Sequence, residues 1–122
     1  MPIQTLDHIN IRTAHLKPMI AWYQEVLGLT LGPRPNFSFG GAWLYAGDVA
    51  IVHLVEVGEQ PGMADTLQLE HFALSATDKE GFLAKLGAAG IPNRVNTLAD
   101  FGITQVNIHD PDGNHIHVDF RE

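Results

Sequence analysis

The sequence predicts an α+β protein made of two tandem βαβββ modules, and three observations carry that expectation. The phrase Leu6-Asp7-His8-Ile9-Asn10-Ile11 returns as Leu69-Glu70-His71-Phe72-Ala73-Leu74, and His8 and His71 stand 63 residues apart, close to half of a 122-residue chain. Each half closes on an apolar run that holds imidazole, Ala50-Ile51-Val52-His53-Leu54-Val55 and then His115-Ile116-His117-Val118, so His8 to His53 spans 45 residues and His71 to His117 spans 46. Between these landmarks each half carries one stretch of helical periodicity followed by short runs broken by Gly, Pro, Asn and Asp.

In the first half, the alternation of Ile9 and Ile11 after His8 reads as a strand. Thr13-Ala14-His15-Leu16-Lys17-Pro18 then opens a segment with apolar residues at Met19, Ile20, Trp22, Tyr23, Val26 and Leu27. That spacing, with Pro18 in the first turn and Gly28 past the end, predicts an amphipathic helix. Three short strands should follow: one over Leu29-Thr30-Leu31, one including Trp43-Leu44-Tyr45, and, after a turn at Gly47-Asp48, the His53 strand.

The second half repeats the plan. A strand follows His71, Ser75-Ala76-Thr77-Asp78 supplies a helix cap, Phe82, Leu83 and Leu86 mark the covering face, and Gly90 marks the stop. Strands are expected at Asn93-Arg94-Val95-Asn96, at Gly102 to Ile108, and after the turn Asp110-Pro111-Asp112-Gly113-Asn114. The modules should cover about 1–58 and about 63–122, with Gly58-Glu59-Gln60-Pro61-Gly62 as linker. With 45% hydrophobic residues the chain can close a sizeable core, and a single domain is the expected count.

Composition excludes several roles. Seven basic residues against fourteen acidic ones give a net charge of -7, and the basic residues are scattered, which argues against nucleic acid or an anionic membrane as partner. Without cysteine there is no disulfide, thiolate ligand or thiol nucleophile. The opening residues lack a basic region followed by an apolar stretch, and no run of about 18 apolar residues occurs. A soluble, cytoplasmic protein is the expectation.

Strand alternation puts His8 on one face with Asn10 and Arg12, His53 with Ile51 and Val55, and His117 with His115 and Asp119. If the duplication relates the two halves, His8, His53, His71 and His117 converge on one concave face of a curved mixed sheet. Imidazole binds borderline divalent metals in its neutral form, so such a set leaves the ion its full charge as a Lewis acid. A lone strand histidine is more often a hydrogen-bonded structural residue than a ligand. The paired spacing, rather than the number of histidines, favours a metal. His15 and His109 fall outside the repeat and are expected to be structural or solvent-facing.

The chain resembles the vicinal oxygen chelate superfamily, which includes glyoxalases, bleomycin-resistance proteins and extradiol dioxygenases. The resemblance runs through Leu6-Asp7-His8-Ile9, Ala21-Trp22-Tyr23-Gln24-Glu25-Val26-Leu27-Gly28, Glu70-His71-Phe72-Ala73-Leu74 and Asp110-Pro111-Asp112-Gly113-Asn114. It implies metal ligands at His8, His53, His71 and His117, with Zn, Ni, Fe(II) or Mn as the divalent ion. It also implies a homodimer with a small-molecule substrate. The family carries a glutamate where His117 stands, and that carboxylate is the proton-moving group of glyoxalase-like members. A base must then come from His117 itself, Asp119 or His115, while Glu56 and Glu70 alternate to the opposite face and read as surface charge. Phe37, Phe39, Trp43 and Tyr45 are candidates to wall a cleft, and Arg12 or Arg34 to hold an anionic group. The implied activity is glyoxalase- or dioxygenase-type: chelation of vicinal oxygens and stabilisation of enediolate-like or oxyanionic charge. The alternatives are a non-catalytic, bleomycin-resistance-like binding protein and a thiol transferase of fosfomycin-resistance type.

Overall fold

The computed structural model describes residues 2–62 and 66–121. The position 63 at which the sequence starts the second module lies outside the described residues. The chain divides into two compact units, Met1–Met63 and Ala64–Glu122.

The first unit contains β1 (Ile9–Thr13), α1 (Leu16–Glu25), β2 (Thr30–Gly32), β3 (Gly41–Ala46) and β4 (Val49–Glu56). They form a four-stranded sheet of order β1-β4-β3-β2 in which only β1 and β4 run parallel. The second unit repeats the order with β5 (Phe72–Ala76), α2 (Lys79–Ala88), β6 (Arg94–Leu98), β7 (Ile103–His109) and β8 (His115–Arg121). Its sheet runs β5-β8-β7-β6, again with a single parallel pair, β5 with β8. Both units are βαβββ modules. A 3-10 turn at Ala99–Phe101, absent from the sequence reading, joins β6 to β7.

The helix punctuation acts where the residue types placed it. Gly28 (φ +70°) leaves α1 in the left-handed region, where glycine carries no Cβ penalty, and its N–H reaches the Gln24 carbonyl at 3.0 Å. At α2 the Asp78 carboxylate accepts from the Gly81 N–H at 3.1 Å, satisfying one of the helix's free donors. Its other end closes with Ile91 N–H on the Leu86 carbonyl and Gly90 N–H on that of Gly87, the two bonds of a Schellman cap. His15 caps α1 with its backbone alone and is exposed.

Strand alternation sorts each sheet into two faces. In the first unit Val52, Leu54, Leu44 and Ala42 are buried on the face covered by Met19 and Tyr23 of α1, and Val26 just past its end is buried too. In the second, Ile108, Ile116, Val106, Val118 and Phe120 are buried, and Phe82 of α2 meets the Phe120 ring. The opposite faces carry the polar and aromatic residues, in rows Asn10–His53–Trp43–Gly32 and Ala73–His117–Asn107–Arg94.

Two connections aim these faces. Asp110 is buried and its carboxylate accepts from the backbone N–H of Asp112 (3.0 Å) and of Asn114 (2.9 Å) and from the Asn114 side-chain amide (2.9 Å to Oδ2), which fixes the turn into β8. After β4, Gln60 Oε1 accepts from the Ala14 N–H at 2.8 Å, so the segment read as a linker folds back onto the β1–α1 turn. Among the described residues no helix is long and apolar enough to cross a membrane.

Candidate metal centre

His8 and His71 each stand one residue before their strand rather than within it, because β1 starts at Ile9 and β5 at Phe72. Alternation therefore does not govern the residue beside them, and the acidic residue of the repeated phrase turns onto its own histidine. Asp7 Oδ1 accepts from His8 Nδ1 at 2.6 Å, and Glu70 Oε1 accepts from His71 Nδ1 at the same distance. A carboxylate can only accept, so a proton sits on Nδ1, and in the neutral ring Nε2 then carries the lone pair, the arrangement in which a carboxylate orients a metal-ligating imidazole.

In the first unit the His53 ring lies between His8 (centroids 3.8 Å apart, planes 12° apart) and Trp43 (3.9 Å, 12°). His53 donates Nε2–H to the Ala50 carbonyl at 3.0 Å, which leaves Nδ1 with the lone pair. Burial pushes the His53 pKa below 6.5, with the neighbouring His8 acting in the same direction, so the neutral, ligand-competent ring is favoured.

The second unit repeats the stacked pair and enlarges it. His71 and His117 stack at 3.9 Å and 11°, and burial, then the nearby His71 and His115, lower the His117 pKa below 6.5. His117 Nδ1 is buried and has no hydrogen-bond partner, an orphaned polar atom of the kind an ion or ordered water satisfies. His115 tilts against His71 (5.3 Å) and His117 (4.8 Å), and one ligand atom from each of these three rings lies within 4.8 Å of the others. His109, expected outside the group, stacks on His115 at 5.0 Å because the two face each other across β7 and β8. The donor set is imidazole nitrogen, with His53 and His117 favoured in the neutral form and His117 Nδ1 without a partner, and it fits a borderline divalent cation.

Glu70 is exposed, as the sequence reading expected of a surface charge, but it turns onto the histidines rather than to the opposite face. Its second oxygen accepts from His115 Nδ1 at 2.7 Å, so one carboxylate spans two imidazoles. The hydrogen bonds from His115 and His71 pull its pKa to about 2. The signal lay in the repeated phrase itself, where an acid precedes the histidine in both copies. Asp119 shares the His117 face, in register with Ser75 and Gln105, and its Oδ1 is buried without a partner.

The expected substrate-facing residues divide. Phe37 and Phe39 stack at 4.9 Å, Phe37 tilts against Trp43 at 6.4 Å, and both phenylalanines are exposed. Arg34 lies over the two rings (5.0 and 5.6 Å) and donates to the Phe39 carbonyl at 3.1 Å, which ties it to its own loop. Tyr45, next to a register shift in β3, donates its hydroxyl to the Pro33 carbonyl and braces the same loop. Arg12 is exposed on β1.

The sequence profile of the Glyoxalase/Bleomycin resistance protein/Dioxygenase superfamily matches residues 5–118. A glyoxalase-family protein from Bacillus anthracis is similar in structure, with a TM-score of 0.81 at 22% identity over 98% of this chain and 97% of its own. Lactoylglutathione lyase from Agrobacterium tumefaciens superposes with a TM-score of 0.70 at 19% identity, covering 98% of this chain and 96% of that one. The genomically encoded fosfomycin resistance protein from Listeria monocytogenes gives 0.74 at 11% identity, covering 98% and 95%. At these identities the likeness is one of fold. No curated protein matches the chain in sequence.

Proposed function

The chain belongs to the Glyoxalase/Bleomycin resistance protein/Dioxygenase superfamily, and from that premise we propose that it is a divalent-metal-dependent enzyme acting on a small molecule with vicinal oxygens. The observation that carries the reading is the recurrence in both modules of a stacked imidazole pair whose pre-strand member has a carboxylate on Nδ1. His8, His53, His71 and His117 are the proposed ligands, and a glyoxalase-type lyase or isomerase, or a dioxygenase, is the proposed class. A bound divalent ion would polarise the substrate oxygens and stabilise the negative charge that develops on them.

The chain's own groups then have distinct tasks. Asp7 and Glu70 hold His8 and His71 with Nε2 bare, so the rings need no tautomer change to accept an ion. Asp119 is the candidate to take a substrate proton, since its buried Oδ1 has no partner and lies on the His117 face. A homodimer is the proposed assembly, because closed symmetric oligomers prevail among soluble proteins.

Elemental analysis of untagged protein tests the reading, with His8→Ala and His71→Ala in parallel. Close to stoichiometric metal, reduced by either substitution, is expected. A metal-free native protein, or occupancy indifferent to both changes, refutes it. Adding Zn, Ni, Mn or Fe(II) singly to metal-free protein, with an α-oxoaldehyde thiol adduct or a catechol, then separates lyase from dioxygenase chemistry. The exposed Phe37–Phe39 stack supports a second reading, a binding protein without turnover, for which calorimetry would find ligand affinity unaffected by metal removal.

A further inference from the structure

The two modules share their stacked pair but not what surrounds it. In the first, Ile51 stands two residues before His53, and Trp43 and Gly32 lie beside His53 across the sheet. In the second, the matching places hold His115, Asn107 and Arg94. A hydrogen-bonded chain runs through them. Glu70 Oε1 meets His71 Nδ1 at 2.6 Å and Oε2 meets His115 Nδ1 at 2.7 Å. On the far side, His115 Nε2 meets Asn107 Oδ1 at 2.9 Å. The Asn107 amide cannot be turned round, because its Nδ2 donates to the Arg94 carbonyl at 3.0 Å and a flip would set two carbonyl oxygens against each other.

Both His115 nitrogens therefore already face side-chain oxygens, Nδ1 that of Glu70 and Nε2 that of Asn107. Proximity alone would group His71, His115 and His117 as a triad of ligands, since their ligand atoms lie within 4.8 Å. The hydrogen bonds argue otherwise. To ligate through Nε2, His115 would give up its 2.9 Å bond to the side-chain oxygen of Asn107, which is 4% exposed and would keep only the long 3.5 Å contact from Arg94 Nη2, a weakening that costs stability. Ligation through Nδ1 is blocked only by Glu70.

We propose that Glu70 is a positioning residue that serves two imidazoles at once: it commits His71 to present Nε2 outward and holds His115 out of the ligand set. Asp7 does the first of these tasks for His8 and has no counterpart to the second, because Ile51 cannot bond to it. The metal-binding consequence rests on the function proposed above, whereas the tautomer assignment does not. His115 thus becomes a fixed donor at the rim of the site. The short charge-assisted bonds from both rings to one carboxylate are what make a single exposed side chain sufficient.

The experiment reads the imidazole ¹⁵N shifts of metal-free protein and, separately, Zn(II) affinity by chelator competition. In the native protein His71 should show a protonated Nδ1 and a bare Nε2. Glu70→Ala should move His71 towards the opposite tautomer and leave His8 unchanged, while Asp7→Ala should do the reverse. Glu70→Asp, too short to span both rings, should restore only one of them. Zn(II) affinity should fall about 10- to 100-fold in Glu70→Ala, the usual effect of losing an orienting carboxylate, and less than about threefold in His115→Ala. Glu70 is exposed and outside the core, so the variants should fold, which circular dichroism verifies. A His71 tautomer indifferent to Glu70→Ala overturns the proposal. So does a loss in His115→Ala as large as that in His71→Ala, which would make His115 a ligand. If no form of the protein binds Zn(II), the metal reading fails, and the ¹⁵N shifts still decide the role of Glu70.

Discussion

Replacing Asp110 with alanine should be among the costliest polar substitutions in the chain while removing no proposed ligand. The carboxylate is 4% exposed and holds the turn into β8 through the backbone N–H groups of Asp112 and Asn114 and the Asn114 amide. A hydrogen bond to a charged acceptor contributes roughly 1.5–3 kcal/mol, and leaving buried donors unpaired adds to the loss. The three bonds share one acceptor and are not additive, so a net destabilisation of about 3 kcal/mol is expected. With a urea slope of about 1.5 kcal/mol per molar for a chain of this size, the unfolding midpoint should fall by about 2 M. Asp110→Asn keeps an oxygen for the two backbone donors and turns an amide nitrogen against that of Asn114, so about half of that loss is expected. Urea titration followed by far-ultraviolet circular dichroism measures both. A midpoint shift of less than about 0.3 M for alanine, or equal losses for the two variants, would refute the idea that this carboxylate organises the turn.

Two further outcomes concern the stacked histidines of metal-free protein. In Trp22→Phe the remaining indole, Trp43, lies against His53, so its emission should drop as His53 gains its proton, with a midpoint below 6.5; a midpoint at or above 6.5 contradicts the effect of burial. Because His53 and His117 both have lowered pKa values, the unfolded chain binds their protons at higher pH than the native one. Their contribution to stability is therefore full above pH 6.5 and is lost as pH falls through the native values. Urea midpoints between about pH 8 and about pH 5 should decline, and the decline should be shallower in His53→Gln.

Much of the fold was legible because local chemistry and tertiary packing agree. Asp78, Gly28 and Gly90 mark helix ends for conformational reasons that do not depend on the rest of the chain, and the alternation along β4 and β8 separates the histidines from Val52, Leu54, Ile116 and Val118. The strand starts were less legible. With His8 and His71 read as strand residues, alternation sends Glu70 to the wrong face; with β5 beginning at Phe72, that rule no longer applies. The Glu70–His115 bond joins positions 45 apart through the β5–β8 register, and no local pattern announces it. The same holds for Tyr45, whose hydroxyl finds the Pro33 carbonyl 12 residues away, just past the β2–β3 pairing.

The substitutions of Trp43 by Asn107, Gly32 by Arg94 and Ile51 by His115 all fall on the histidine faces, while the faces beneath the helices keep aliphatic and aromatic residues in both copies. Folding and chemistry are thus written on opposite sides of each strand. A doubled design of this kind can change the polar face of one half without renegotiating its core, and each half serves as an internal control for the other.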